Sequence, residues 1–250
     1  MISISEALEQ LFDLVTEMPV ETVPLALAAG RVLARDVAAT RSQPPFAASA
    51  MDGYAVRAED LAKGAKFTVI GESAAGHGFG GDVRQGEAVR IFTGAPLPEG
   101  AGFVIIQEDV SRISTQITVT GDTGSNSNIR PAGVDFREGD SMTAPRVLRA
   151  ADQALLASMN VAQVPVFKRP DVALISTGDE LVMPGETPGQ DQIIASNTFG
   201  LKAMLDAAGA HTRILPIAGD NAPALEMAFD LASGADLMVT IGGASVGDHD

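Results

Sequence analysis

The stretch Asp171-Val172-Ala173-Leu174-Ile175-Ser176-Thr177-Gly178-Asp179-Glu180 decides how the second half of this chain folds. Its continuous apolar run is what a strand covered on both faces requires, and a polar turn follows at once. Downstream, the pattern predicts a helix over residues 196–208 closed by Gly209, a strand over 212–217, a helix over 222–232 and a strand over 237–241. The order β-α-β-α-β predicts a doubly wound parallel sheet over residues 169–250. In such sheets ligands bind beyond the carboxyl ends of the strands. The first strand runs into Ser176-Thr177-Gly178-Asp179-Glu180 and the last into Gly242-Gly243-Ala244-Ser245-Val246-Gly247-Asp248-His249-Asp250. Glycines let backbone amides approach an anion, hydroxyls donate hydrogen bonds, and carboxylates hold a cation. Either cluster alone reads as ordinary turn and cap chemistry. Two clusters at strand ends of one sheet read as a ligand site. Neither matches the phosphate loop of nucleotide hydrolases or a complete Gly-x-Gly-x-x-Gly.

Working back from Asp171, residues 44–140 are dense in Gly and Pro and carry short strand-like runs at 67–70, 88–92, 103–106 and 116–119. Such spacing predicts a small β domain. Helical patterns bracket it. Ser3 and Glu6 have capping-box spacing ahead of Ile4, Leu8, Leu11, Phe12 and Val15. A further helical piece is expected over residues 24–33, and another over 149–159. The expected architecture is α/β plus β: a helical stalk (residues 1–43 and 141–168), an inserted β domain (44–140), and a truncated doubly wound parallel α/β domain (169–250).

Composition narrows the function classes. The 250 residues hold 32 acidic and 17 basic side chains, a net charge of −15. Nucleic acids and anionic membranes need basic patches that release counterions, so neither is an expected partner. Without cysteine there is no disulfide framework and no thiolate site, which suits the cytoplasm. The three histidines, His77, His211 and His249, are too scattered to suggest zinc. The N-terminus lacks signal-peptide character, and no stretch of about 20 apolar residues occurs.

The β-rich segment has polar loops of its own. Ser49-Ala50-Met51-Asp52-Gly53-Tyr54-Ala55-Val56 sets Asp52 beside the only tyrosine and next to a glycine read as a flexible neighbour. Thr93-Gly94-Ala95-Pro96 follows a strand, and Asn128-Ile129-Arg130-Pro131-Ala132-Gly133 leads to Asp135. Arg130, read alone, could pair with a neighbouring acid on the surface. These three segments, with Ser176–Leu181 and Gly242–Asp248, occur in one order along the chain. The set resembles molybdopterin molybdenumtransferase, the MoeA and gephyrin E-domain family, across essentially the whole length.

The resemblance implies an elongated homodimer that binds adenylylated molybdopterin, cleaves its phosphoanhydride with Mg²⁺ present, inserts molybdate and releases AMP. Its cleft would lie between the β domain of one subunit and the α/β domain of the other. Positions matching the family's functional residues are Asp52, Thr93, Asp135, Glu180 and Asp250, with Asp52, Glu180 and Asp250 as candidate Mg²⁺ ligands. Ser176, Thr177, Gly178, Gly242, Gly243 and Ser245 are the candidate substrate-binding residues. Two departures stand out: Val134 occupies a position where the family commonly has Glu, and Asp220-Asn221 keeps only the first of two possible acids. The family continues with further α/β elements, lysine-bearing segments and a C-terminal barrel, so this chain alone is expected to be inactive. Two other readings compete: a related α/β domain with a different reaction, against which the β insert argues, and a non-catalytic scaffold, against which the retained carboxylates argue.

Overall fold

The structure is a computed structural model that describes residues 2–242. The chain divides into two compact units. One comprises Met1–Arg35, Ala144–Gln153 and Gln163–Asp250; the other comprises Asp36–Thr143 and Ala154–Ala162.

In the first unit, Asp171–Ser176 is the central strand of a three-stranded parallel sheet, between His211–Ile214 and Leu237–Ile241. Its side chains alternate between two cores. Ala173 and Ile175 pack with Ala228 of the helix Ala222–Leu231 and with Ala232, which caps it. Val172 and Leu174 face Leu201 and Leu205 of the helix Asn197–Ala207. A helix on each face is the physical content of a doubly wound sheet, and the apolar run exists because Val172 through Ser176 are buried from water. The strand expected over 212–217 stops at Ile214. Pro216, with no N–H to give a ladder, lies just beyond it.

Residues 20–33 correct the expectation of a helical stalk. The Ile4–Leu14 helix forms, with Ser3 and Glu6 bonding reciprocally as a capping box. After it, Val20–Pro24 is a strand paired antiparallel with Gln163–Phe167, and Val32–Leu33 and Arg146–Val147 complete a four-stranded sheet. Only Leu25–Leu27 forms a single 3₁₀ turn where a helix was expected. Pro24 supplies no N–H, and Gly30 takes a left-handed conformation (φ +69°) that ends any helical run. The β-branched Val20, Thr22 and Val23 gain a partner strand that is 140 residues away in sequence, which local periodicity does not register. The helix expected over 149–159 is present as Ala150–Ser158 and crosses the division between the two units.

The second unit is built on a six-stranded sheet ordered Phe103–Ile106, Gly53–Val56, Glu87–Ile91, Lys66–Ser73, Gln116–Val119, Val110–Ile113. All pairs are antiparallel except Lys66–Ser73 with Glu87–Ile91, which run parallel. Tyr54, Phe67, Phe103, Ile105 and Ile117 fill the core on one face. Gly53 is not the flexible position its sequence suggests. It is a buried residue inside a central strand, and a Cβ there would lie 1.9 Å from the carbonyl oxygen of Ile105. Because that obstacle is backbone, no rotamer change relieves it. Gly53→Ala is therefore expected to destabilise this unit by on the order of 3 kcal/mol, read as a lowered urea midpoint; an unchanged midpoint would show that the neighbouring strand yields freely.

Candidate functional site

Two groups of polar residues stand out, one in each unit. In the β unit, three loops are tied together by backbone hydrogen bonds. The Gly94 amide donates to the Ser49 carbonyl, the Ser49 amide to Ala95, and the Ala50 amide to Asn128. Ala48–Ser49 also pairs with Ile129–Arg130. The Ser49 hydroxyl, buried, donates to the Met51 carbonyl at 2.6 Å, which shapes the turn that carries Asp52.

At that turn Asp52 and Thr93 meet. The Thr93 amide and hydroxyl both donate to Oδ1 of Asp52, each at 2.8 Å. These two bonds, first the backbone one and then the hydroxyl, hold the Asp52 carboxyl below the usual carboxylate range, and the charge of Arg90 acts in the same direction. Arg90 is a residue the sequence reading passed over. Its guanidinium lies over the Tyr54 ring at 5.0 Å and the Phe92 ring at 4.7 Å. It also donates to the Gly53 carbonyl and to the Gln107 side chain, at 3.1 and 2.8 Å. Its one sequence signal is an arginine two residues before Phe92 within the apolar run Ala88-Val89-Arg90-Ile91-Phe92. Asp135, by contrast, is occupied by a neighbour: one Arg130 nitrogen donates to both its oxygens, at 2.8 and 3.0 Å, on the exposed surface.

In the α/β unit the carboxyl ends of the strands gather the second group. Ser176 is buried, and its hydroxyl lies 2.5 Å from that of Thr198 near the start of the Asn197–Ala207 helix. Thr177 and Gly178 anchor the turn through their amides, donating to Ile241 and Ala218 at 3.0 and 3.1 Å. Gly178 (φ +143°) and Gly242 (φ +115°) both require glycine. A Cβ on Gly178 would strike the Glu180 carboxylate, and one on Gly242 would strike the Thr177 hydroxyl and carbonyl. Glu180 is thus exposed and folded back over Gly178. Asp179 was quoted in its motif but not singled out. It is joined to Asp220: the Asp220 amide donates to the Asp179 carboxylate at 3.1 Å, and the Asp179 amide to that of Asp220 at 3.4 Å. A strand-end Asp in each of two successive loops is the signal that pairs them. Gly243, Ser245 and Asp250 lie outside the described residues. Among the described residues no three His, Cys, Asp or Glu side chains stand together as a metal cage, and no helix is long and apolar enough to cross a membrane.

The Asp52–Thr93 contact carries a titration with a definite sign. A depressed carboxyl pKa contributes stability that is present above the ordinary carboxylate range and is lost as pH falls through the lower folded value. Thr93→Ala keeps the amide donor and removes the hydroxyl. The Asp52 pKa is expected to rise toward the ordinary range in a carboxylate NMR titration, and the variant's stability deficit to shrink below about pH 4; an unmoved Asp52 titration would refute the assignment.

Residues 2–160 match the family model of the MoeA N-terminal region (domain I and II), and residues 173–250 that of a probable molybdopterin binding domain. The chain is 39% identical over 251 residues to a molybdopterin molybdenumtransferase of Haemophilus influenzae, covering 98% of this chain and 61% of that protein. It is 34% identical over 259 residues to one of a Nostoc species, covering 99% and 59%. A crystal structure of the molybdopterin biosynthesis MoeA protein from Pyrococcus horikoshii superposes with a TM-score of 0.86 at 31% identity, over 97% of this chain and 66% of that one. The chain spans about three fifths of the length of these curated relatives. By its matched domains, its coverage and the order of its loops, the chain belongs to the MoeA family.

Proposed function

We propose that this chain supplies the acidic part of an active site that inserts molybdate into adenylylated molybdopterin and releases AMP, a step of molybdenum cofactor biosynthesis. The single observation that carries the reading is the Asp52–Thr93 pair. A carboxylate held ionised by two donors on one oxygen is a fixed negative charge, and such a charge next to a phosphoanhydride requires a cation between them. The donor chemistry fits Mg²⁺. This ion prefers hard oxygen ligands and is usually held by one or two carboxylates together with substrate phosphates, not by a complete protein cage. Asp52 would hold the ion, Glu180 and Asp250 are the other candidate carboxylates, and when bound the ion would neutralise charge on the phosphates and polarise the anhydride.

The chain's own residues have separate tasks in this reading. Thr93 fixes the Asp52 carboxylate and keeps it ionised. Arg90, held over two aromatic rings, adds a smaller attraction of its own for the ionised Asp52. Thr177, Gly178 and Gly242 form a turn whose backbone can approach an anion closely, because no Cβ intervenes. Ser176, bonded to Thr198, positions that turn. Asp179 and Asp220 lock two strand-end loops to each other.

The working enzyme is further proposed to be a cytoplasmic homodimer. The Ile4–Leu14 helix supports this: Ile4 is 81% exposed, Phe12 71% and Leu11 58%, all on its apolar side. An amphipathic helix whose apolar residues all face solvent calls for a cover. Leu11→Asp with Phe12→Glu is expected to shift the mass in light scattering toward the monomer without loss of helix content. Equal dimer mass in parent and variant would place the interface elsewhere.

The chemical test uses the chain extended to the length of its curated relatives. Asp52→Ala is expected to lower AMP release and cofactor yield on the order of 10²-fold while the thermal transition stays put. Turnover close to that of the parent in a well-folded variant would assign Asp52 to turn formation alone.

A further inference from the structure

A cavity of about 470 Å³ lies in the first unit at the opposite end of the parallel sheet from the loops described above. Pro170, which precedes the central strand, lines it, as do Ala207–Gly209, which precede the strand His211–Ile214. These are the amino ends of the strands, whereas Ser176–Glu180 and Gly242 follow the carboxyl ends. At about 3.3 Å per residue, the six residues of Asp171–Ser176 separate the two ends by roughly 20 Å. The cavity is therefore not an extension of the candidate active site.

Its walls combine apolar surface with cations. Met18, Val32, Val147 and Phe167 supply the first; Arg31, Lys168 and Arg169 supply the second. Arg31 is only 9% exposed. One of its terminal nitrogens bonds the Glu21 carboxylate and, at 2.7 Å, the Phe167 carbonyl. Its Nε, however, is buried with no protein partner. A buried guanidinium with an unpaired donor is a cation whose charge the protein meets only in part. With Glu17 also on the wall and Glu21 on Arg31, the local count is three cations against two anions, in a chain whose net charge is −15. The volume lies in the range of small-molecule sites, and the mix of apolar wall with a few convergent polar groups is what such sites share.

We propose that this cavity is a binding site for a small organic anion, an apolar body bearing one carboxylate or phosphate group, with Arg31, Lys168 and Arg169 receiving the charge and Val147 and Phe167 receiving the body. The anionic head meets the positive charge of Arg31 at the wall, and the exposed Lys168 and Arg169 add long-range attraction in an otherwise repelling field.

The test titrates the 250-residue chain with benzoate, phenyl phosphate, inorganic phosphate and the neutral benzyl alcohol, by calorimetry and thermal shift. Benzoate or phenyl phosphate is expected to bind with Kd of about 1 mM or below, at least roughly tenfold more tightly than benzyl alcohol or inorganic phosphate. Which of the two binds identifies the head group. Two variants at exposed positions locate the site: Lys168→Ala with Arg169→Ala removes charge, and Val147→Trp fills the space. Each is expected to weaken binding at least roughly tenfold with the melting temperature of the free chain unchanged. No binding of either aryl anion at about 10 mM overturns the proposal, as does equal affinity in the parent and both variants.

Discussion

The peptide groups of Val172 through Ser176 lie out of water, and each must find a hydrogen-bond partner inside the protein. Parallel strands on both sides meet that demand: His211–Ile214 pairs from Asp171 to Leu174, and Leu237–Ile241 pairs from Val172 to Ser176. Parallel pairing in turn forces the crossover helices onto the two faces, and it aligns the carboxyl ends of the strands. The polar turns at Thr177–Glu180, Ala218–Asp220 and Gly242 come together because the strands beneath them end together. The bonds from Thr177 to Ile241, Gly178 to Ala218 and Asp220 to Asp179 are the visible result.

In the β unit a different constraint does comparable work. Gly53 is pressed so closely on Ile105 that no side chain fits. That closeness keeps Gly53–Val56 flat between Phe103–Ile106 and Glu87–Ile91, and it delivers Asp52 to the strand end where the Thr93 loop begins. Arg90 lies in the flanking strand Glu87–Ile91, directly opposite Tyr54, so its guanidinium reaches the Gly53 carbonyl and the two rings together. Position and electrostatics are coupled: the same packing that leaves no room at Gly53 holds a cation near Asp52.

Charge is distributed unevenly over an acidic chain. The candidate site residues Asp52, Glu180, Asp179 and Asp220 are exposed or half-buried carboxylates, suited to a metal-bridged anionic substrate and repulsive to a bare one. Cations are instead placed singly and tied to partners, as Arg130 is to Asp135 and Arg213 to Asp171. The wall of Arg31, Lys168 and Arg169 departs from that pattern, since one of its buried donors has no partner.

The sequence by itself determined the alternation of strands and helices after Asp171, the short strands at 103–106 and 116–119, and the polar turns that hold Asp52, Thr93 and Glu180. These were legible because they rest on local signals: an uninterrupted apolar run, a two- or 3.6-residue period, a turn residue at an end. Tertiary structure decided what depends on residues far apart in the chain. Val20–Pro24 became a strand because Gln163–Phe167 lies beside it, overriding the alanine-rich helical pattern that follows. Ser176, open to a ligand in the sequence, had its hydroxyl taken by Thr198, and Asp135 was taken by Arg130. Arg90 gained its contact with Tyr54 only when Gly53–Val56 paired with Glu87–Ile91 and set that ring opposite it. Periodicity reports which face of an element is apolar; it carries no information about which distant side chain will meet a given hydroxyl or carboxylate, because that meeting is fixed by strand order and packing.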